Sequence, residues 1–186
     1  MADEVWLLRH AETEWSRTKK HTGRTDIPLT DAGREVAREL GQRLAGADFA
    51  VVLCSPLSRA RETAQLAGLE CSGLRDDLLE WDYGEYEGLT TVEIRENRPD
   101  WFLWRDGAPG GEMPDQVAAR CSRVVAEVRA LEGKVALVAH GHILRALAAC
   151  WIAAPVDLGG RLHLGTGTVS VLAYEREVAV ISRWNT

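Results

Sequence analysis

Short runs of apolar residues alternate along the chain with longer amphipathic segments. Continuous apolar runs occupy residues 5–8 and 49–54, and a third, at 134–139, is apolar after its first residue, Lys134. Runs of this kind are typical of strands that are buried on both faces of a sheet. The segments between and after them predict helices at residues 30–46, 58–67, 91–98, 113–131 and 143–153.

The end of the chain changes from this alternation to a hairpin pattern. Two β-rich runs at residues 168–174 and 178–184 are separated by three charged residues, and a short edge strand is expected within residues 69–74. The pattern predicts a three-layer α/β/α fold whose sheet is mostly parallel with an antiparallel edge. We interpret residues 1–186 as a single domain. Residues 78–112 follow no clean period, and we interpret them as a small lid-like insertion.

Composition excludes several classes of function. The formal net charge of the 186 residues is −6, so we expect no nucleic-acid partner, because such proteins usually present a basic face. No apolar run approaches the roughly 18 residues of a membrane span, and no leader is visible. The four cysteines, at positions 54, 71, 121 and 150, form no Cys-x-x-Cys pair. This pattern favours a cytoplasmic protein with reduced thiols.

Polar side chains follow each of the three predicted central strands. Arg9 and His10 come at the end of the first run, Arg59 lies just beyond the second, and His140 follows the third. Because the carboxyl ends of parallel strands meet at one edge of a sheet, we expect these four side chains to converge. Two guanidiniums and two imidazoles suit a phosphate dianion and the charge that develops during phosphoryl transfer.

Gly141 and His142, directly after His140, are expected to add to the same pocket. A glycine lets the backbone approach a ligand, and a helix beginning near His142 would point its first N–H groups at an anion. The spacing of His140 and His142 also suggests a metal site. Alternate residues of a strand face opposite ways, however, and no other histidine offers supporting spacing for a third ligand. We therefore expect neither a metal nor a cofactor.

Five segments together resemble the histidine phosphatase superfamily, whose members have the phosphoglycerate-mutase-like fold. They are Leu-Arg-His-Ala-Glu-Thr-Glu-Trp at 8–15, Thr-Gly-Arg-Thr-Asp-Ile-Pro-Leu-Thr at 22–30, Ser-Pro-Leu-Ser-Arg-Ala-Arg-Glu-Thr-Ala at 55–64, Glu-Trp-Asp-Tyr-Gly-Glu-Tyr-Glu-Gly at 80–88 and Val-Ala-His-Gly-His at 138–142. All five occur in the order found in the family. Ala11 departs from its pattern, which usually has glycine there, and we expect only a slightly different turn.

The resemblance implies a role for each matching residue. His10 is similar to the nucleophile that forms a phosphohistidine, and Glu80 to the general acid that protonates the leaving group and then activates water. Arg9, Arg59 and His140 resemble the rest of the phosphate pocket. The positions that match the substrate side are Ser16, Thr22, Gly23 and Tyr83. Because aromatic residues adjoin the Glu80 carboxyl group, we expect desolvation to favour its protonated form.

The segment after residue 98 favours hydrolysis over mutase activity. Mutases of this family carry a basic insertion there, whereas residues 99–107 contain one arginine, and a short insertion seals the site poorly against water. We expect a phosphomonoesterase, similar to the acid phosphatase and sedoheptulose-bisphosphatase-like members, that acts on small phosphorylated metabolites such as sugar phosphates. Cofactor-dependent phosphoglycerate mutase and a non-catalytic phospho-ligand-binding protein are the alternatives. A homodimer is also open, because Trp101 and Trp104 could either cover the site or contact a second subunit.

Overall fold

The computed structural model describes residues 2–186. The strands are β1 (Ala2–Arg9), β2 (Phe49–Cys54), β3 (Gly73–Leu74), β4 (Gly133–Ala139), β5 (Val169–Glu175) and β6 (Val178–Arg183). The helices are α1 (Glu14–Arg17), α2 (Asp31–Arg43), α3 (Ser58–Leu66), α4 (Thr91–Asn97), α5 (Leu103–Asp106), α6 (Pro114–Ala130) and α7 (Gly141–Trp151). Short 3-10 helices lie at Asp76–Leu78, Gly84–Tyr86 and Val156–Arg161.

The six strands form one mixed sheet in the order β3–β2–β4–β1–β5–β6. Strands β3, β2, β4 and β1 are parallel to one another, whereas β5 is antiparallel to β1 and β6 is antiparallel to β5. No crossover helix connects β5 and β6, and the two strands form the expected hairpin. The prediction of a mostly parallel sheet with an antiparallel edge is therefore confirmed.

Helices cover both faces of the sheet because neighbouring strand residues point to opposite sides. Leu7 and Leu137 belong to an apolar cluster that also contains side chains of α6 and α7. Leu8 and Val138 belong to a second cluster, which contains side chains of α2 and α3. All four leucine and valine side chains are fully buried. None of the helices formed by residues 2–186 combines the length and the apolar character that crossing a membrane requires.

Residues 78–112 form an irregular segment whose two tryptophans are part of the core. Trp101 and Trp104 are only 3% and 4% exposed. The Trp101 indole N–H donates to the Gly107 carbonyl over 2.9 Å, and the Trp104 ring packs against Trp81 at 5.3 Å. Neither indole has surface to offer a second subunit, so a dimer contact through them is excluded. Movement of this segment as a lid stays a prediction.

Two of the four cysteines are joined, which the sequence did not suggest. Cys54 and Cys71 form a disulfide with an S–S distance of 1.98 Å, so the expectation of reduced thiols is wrong for this pair. The end of β2 and the segment before β3 run side by side, with the Ser72 N–H donating to the Val52 carbonyl over 2.8 Å. This pairing brings together cysteines that are 17 positions apart in the chain. Cys121 and Cys150 are free thiols.

Candidate active site

Three neighbouring strands deliver polar residues to one edge of the sheet. His10 follows β1, Ser55 follows β2 and His140 follows β4, and these strands lie side by side. The backbone pairing continues just past the strands, since the His10 N–H donates to the Ala139 carbonyl and the Ser55 N–H to the Val138 carbonyl, each over 2.9 Å. The rings of His10 and His140 consequently lie 5.1 Å apart.

The environment of His10 fixes its protonation. The ring is 4% exposed, and Nδ1 lies 2.7 Å from the carbonyl oxygen of Ala11. A carbonyl can only accept, so Nδ1 carries the proton and Nε2 keeps its lone pair. Burial, followed by the positive charges of Arg59 and Arg9, lowers the pKa of His10 well below 6.5. His10 is thus a neutral imidazole with a free Nε2.

Ala11 itself fits this turn without strain. Its φ lies outside the left-handed region, so the turn does not require the glycine that is usual in the family. Its methyl group packs in a small apolar cluster with Leu29 and Ala37. Its N–H donates to the Thr63 hydroxyl over 3.1 Å. The departure from the family pattern therefore leaves the turn that holds His10 intact.

His140 is fully buried and uses both ring nitrogens. Nδ1 accepts a hydrogen bond from Arg59 Nε at 3.1 Å, so the proton is on Nε2, which donates to the Ser55 hydroxyl at 2.7 Å. Burial, followed by the charges of Arg59, His10 and Arg9, lowers the pKa of His140 well below 6.5. Both nitrogens have protein partners, so neither is free to bind a metal.

Arg59 connects this pair of histidines to the loop after α1. Its guanidinium is fully buried, and one terminal nitrogen donates to the Thr25 carbonyl over 2.9 Å. The other donates to the carbonyls of Thr22 and Gly23, over 3.2 and 2.9 Å. Arg59 therefore holds the predicted substrate-side residues Thr22 and Gly23 next to His140.

Arg9 has a buried donor without a protein acceptor. One terminal nitrogen donates to the Leu164 carbonyl, but within residues 2–186 no acceptor reaches the buried Nε. The guanidinium lies against Gly141, where a Cβ atom would come 3.1 Å from Cζ of Arg9. Because an unpaired buried donor is costly, the arrangement suits an anion that accepts from Nε.

Glu80 is held by backbone N–H groups at the start of α7. Oε1 accepts from the N–H groups of Trp81 and Ile143, over 2.9 and 2.8 Å. Oε2 accepts from the His142 N–H over 3.0 Å. These three bonds fix the orientation of the Glu80 carboxyl group. The sequence predicted aromatic neighbours for Glu80 but not these backbone donors.

Tyr83 and His142 form a second pair next to Glu80. The phenol oxygen lies 2.6 Å from Nδ1 of His142. Burial, followed by the charge of Glu80, raises the pKa of Tyr83 well above 10. Burial is also the main reason that the pKa of His142 is well below 6.5. His21 packs on the Tyr83 ring at 4.7 Å, and burial lowers its pKa to about 4. This wall of the site is therefore uncharged at neutral pH.

A cavity of about 370 Å³ opens beside these groups. Of the predicted residues, its wall contains Arg9, His10, Ser16, Thr22, Glu80, Tyr83 and His142. Arg59, His140, Gly23 and Gly141 lie outside this wall. The lining residues that the sequence analysis did not single out are Lys19, Lys20, His21, Thr91 and His163. The first three lie between Ser16 and Thr22, so the two flanking predictions could have indicated them.

A further residue missed from the sequence holds the Glu80 loop. Arg120 on α6 is 5% exposed and makes two contacts with the Glu112 carboxylate, at 2.7 and 2.8 Å. It also donates to the carbonyls of Asp77, Leu79 and Glu80, over 2.9, 2.6 and 3.1 Å. These bonds fasten the segment that carries Glu80 to the helix behind it.

The comparison with protein families agrees with this site. Residues 5–186 match the model of the histidine phosphatase superfamily (branch 1), and the chain belongs to that family. It is 44% identical over 184 residues to an acid phosphatase from Mycobacterium tuberculosis, covering 94% of this chain and 90% of the relative. It is 35% identical over 178 residues to the sedoheptulose 1,7-bisphosphatase of Saccharomyces cerevisiae, covering 78% of this chain and 66% of that enzyme.

A solved structure supports the same assignment. The product of an open reading frame from Mycobacterium tuberculosis superimposes with a TM-score of 0.93 at 39% identity. The match covers 98% of this chain and 97% of the other. The fold and the family are therefore established by sequence and structure together.

Proposed function

We propose that the protein is a phosphomonoesterase that hydrolyses small phosphorylated metabolites, such as sugar phosphates, through a phosphohistidine at His10. The observation that carries the proposal is the fixed tautomer of His10. Nδ1 is hydrogen-bonded to the Ala11 carbonyl, so Nε2 is free, and His10 lines the cavity. A neutral imidazole in this state is a competent nucleophile for phosphorus. The phosphatases among the relatives support the same reaction class.

The reaction takes place in two steps. In the first, Nε2 of His10 forms a bond to phosphorus while the bond from phosphorus to the ester oxygen breaks, and Glu80 gives its proton to that oxygen. In the second, the Glu80 carboxylate takes a proton from water as the water oxygen attacks phosphorus. The phosphorus–nitrogen bond breaks, and inorganic phosphate leaves. One covalent intermediate thus replaces a single difficult displacement.

The surrounding groups suit the charges in this sequence. Arg9 supplies the unpartnered Nε as a donor to the transferred phosphate. Arg59 and His140 lie outside the cavity wall. We propose that the positive charge of Arg59 acts on the phosphate at a distance and that His140 positions His10, whose ring lies 5.1 Å from its own. Glu80 must enter the first step protonated. We assign that proton to Oε2, which has one backbone hydrogen bond, whereas Oε1 has two.

We propose that Ser16, Thr22, Tyr83 and His142, which line the cavity, form the substrate side. Gly23 and Gly141 lie outside its wall and leave room for the Trp81 carbonyl and the Arg9 guanidinium. A cavity of about 370 Å³ is at the small end of the range for ligand pockets, which suits a metabolite rather than a polymer. We propose that turnover needs no metal ion. Cytoplasmic location and a homodimer stay predictions.

The proposal is tested by following phosphate release from p-nitrophenyl phosphate and from an alkyl ester such as glucose 6-phosphate. We expect the wild type to hydrolyse both with EDTA present, and His10→Ala to hydrolyse neither. Glu80→Gln should lose more activity on glucose 6-phosphate than on p-nitrophenyl phosphate, because nitrophenolate leaves without protonation. Full turnover by His10→Ala would refute the covalent route, and equal losses on the two esters would refute the acid role of Glu80.

The same preparation distinguishes the mutase alternative. Incubation with 3-phosphoglycerate, with and without 2,3-bisphosphoglycerate, should release inorganic phosphate without forming 2-phosphoglycerate. If 2-phosphoglycerate forms faster than inorganic phosphate is released, the principal function is mutase activity rather than hydrolysis.

A further inference from the structure

Two lysines in the cavity wall have no part in the phosphate chemistry described above. Lys19 and Lys20 both line the cavity that contains Arg9, His10 and Glu80. Lys19 is exposed and Lys20 is half-buried. They lie in the loop between Ser16 and Thr22, so the same stretch of chain forms part of the substrate side.

The backbone of the two lysines is fixed rather than free. The N–H of Lys19 donates to the Ser16 carbonyl over 3.3 Å, and that of Lys20 donates to the Trp15 carbonyl over 2.9 Å. Lys20 also forms an isolated β-bridge with Thr90. Lys19 has a φ of 60°, a left-handed conformation that residues other than glycine adopt at a cost. Lys19 directly follows the C-cap of α1, where a left-handed residue is a common way for a helix to end.

Neither ammonium group has a carboxylate at ion-pair distance within the described residues. Within residues 2–186, no carboxylate lies within 4 Å of Lys19 or Lys20. Lys20 instead lies 5.9 Å from the centre of the Trp15 ring. The nearby Glu93 carboxylate accepts hydrogen bonds from the N–H and the hydroxyl of Thr90, at 2.7 and 2.8 Å. The pair is therefore available to an incoming anion.

The charge of the cavity differs from that of the whole chain. The chain has a formal net charge of −6, yet the wall contains the cations Arg9, Lys19 and Lys20. Its acid, Glu80, is engaged by backbone N–H groups. The transferred phosphate uses Arg9, so two positive charges remain for another part of the substrate.

We propose that Lys19 and Lys20 form a subsite for a second anionic group, a phosphate or a carboxylate, on the alcohol portion of the substrate. The preferred substrates are accordingly phosphate esters that carry an additional negative charge. This inference rests on the proposed phosphatase function and specifies its substrate class. A hydrogen bond to a charged group contributes about 1.5–3 kcal/mol, which corresponds to a roughly 10- to 100-fold preference.

The test compares substrates that differ in the second charge. Fructose 1,6-bisphosphate is paired with fructose 6-phosphate, and 6-phosphogluconate with glucose 6-phosphate. We expect kcat/KM of the wild type to be at least tenfold higher for the doubly anionic member of one pair or both. The pair with the larger ratio shows whether the subsite takes a phosphate or a carboxylate.

Lys19→Met, Lys20→Met and the double variant then assign the preference to these residues. In the double variant the ratio should fall to about one, mainly through a higher KM for the doubly anionic substrate. Lys134→Met is the matched control, because Lys134 lies on β4 beside Glu4, outside the cavity, and should keep the wild-type ratio. Thermal unfolding midpoints of all variants establish that they are folded.

The outcomes separate this inference from the proposed function. If the wild type hydrolyses monoesters through His10 but shows no preference within either pair, the subsite is refuted and the phosphatase stands. A preference that survives in the double variant also refutes the subsite. If the wild type hydrolyses no phosphate ester, the proposed function fails, and this inference fails with it.

Discussion

Replacing Arg120 by methionine tests whether the Glu80 loop depends on a buried ion pair. Arg120 is 5% exposed, and its partner Glu112 has a side chain that is 15% exposed. Methionine keeps much of the length of the side chain but removes all of its donors. The substitution removes the closest cation of the Glu112 carboxylate and leaves it only Arg24, at 3.9 Å. It also leaves three carbonyls of the Glu80 loop without a donor.

The expected loss of stability is large for a single side chain. Removing one partner of a buried ion pair typically costs about 3–5 kcal/mol when the other charge stays buried and unpaired. Because Arg24 still faces Glu112 at 3.9 Å, we expect a cost at the lower end of that range. Arg123→Met provides a matched control on the same helix. Arg123 is 62% exposed and pairs with a partly exposed Asp77, and exposed pairs contribute little to stability. The loss in free energy of unfolding should therefore be several-fold larger for Arg120→Met than for Arg123→Met.

Urea unfolding at pH 7 measures the free energy of unfolding of both variants, and a series at lower pH adds a second criterion. Burial acts to raise the pKa of Glu112, but the hydrogen bonds and charge of Arg120 outweigh it and the net pKa is lowered. A lowered pKa in the folded state stabilises the protein above the unfolded value of 4.5. That contribution disappears as the pH falls through the lower folded value. The difference in free energy of unfolding between wild type and Arg120→Met should narrow over this pH range.

Activity gives an independent measure of the same contact. If Arg120 positions Glu80, kcat should fall more for glucose 6-phosphate than for p-nitrophenyl phosphate, as predicted for Glu80→Gln. The reasoning is refuted if Arg120→Met costs no more stability than Arg123→Met. It is also refuted if the difference in free energy of unfolding between wild type and Arg120→Met stays constant between pH 7 and pH 3.

Three further predictions concern the site and the disulfide. Gly141→Ala should lower kcat/KM for p-nitrophenyl phosphate at least tenfold, because the new methyl group would lie 3.1 Å from Cζ of Arg9; unchanged kinetics would show that Arg9 can shift without effect. The pKa of His10 is lowered well below 6.5 by burial and by the charges of Arg59 and Arg9, so the His10 ring should show no titration near pH 6.5 when it is followed by NMR, and a ring that titrates there would contradict the neutral nucleophile. Reducing the Cys54–Cys71 disulfide, which links residues 17 positions apart, should lower the free energy of unfolding by about 3 kcal/mol, and a Cys71→Ser variant with wild-type stability would contradict this.

The fold could be predicted because its main signals are local. Apolar runs of strand length alternate with helical segments, and a final pair of β-rich runs marks the hairpin. The sheet order was not accessible in the same way. Placing β4 between β2 and β1 brings together residues more than 80 positions apart, and no local pattern specifies that pairing.

The site, like the fold, could be predicted only where its signals are local. The residues that follow β1 and β4 could be placed at one edge by the geometry of parallel strands, and the rings of His10 and His140 do lie close together. The direction of each side chain could not be derived. Arg59 lies outside the cavity wall rather than in it, and two of the three N–H donors that hold Glu80 come from α7, about 60 residues later in the chain.

Arg120 and the disulfide were missed for different reasons. Arg120 interrupts the apolar face of α6 between Val117 and Val124, and an arginine at such a position could have indicated a buried partner. Cys54 and Cys71 carry no local signal, because only the pairing at the end of β2 brings them together.

The central claim is that phosphate is transferred to Nε2 of His10, and trapping that intermediate tests it most directly. Wild-type enzyme is mixed with a phosphate ester, quenched in base within one turnover, digested and mapped by mass spectrometry. The account predicts a phosphate on the peptide that contains His10, which appears and decays at rates compatible with kcat and is absent from His10→Ala. Turnover without any phosphorylated peptide, or phosphate on a different residue, would contradict it.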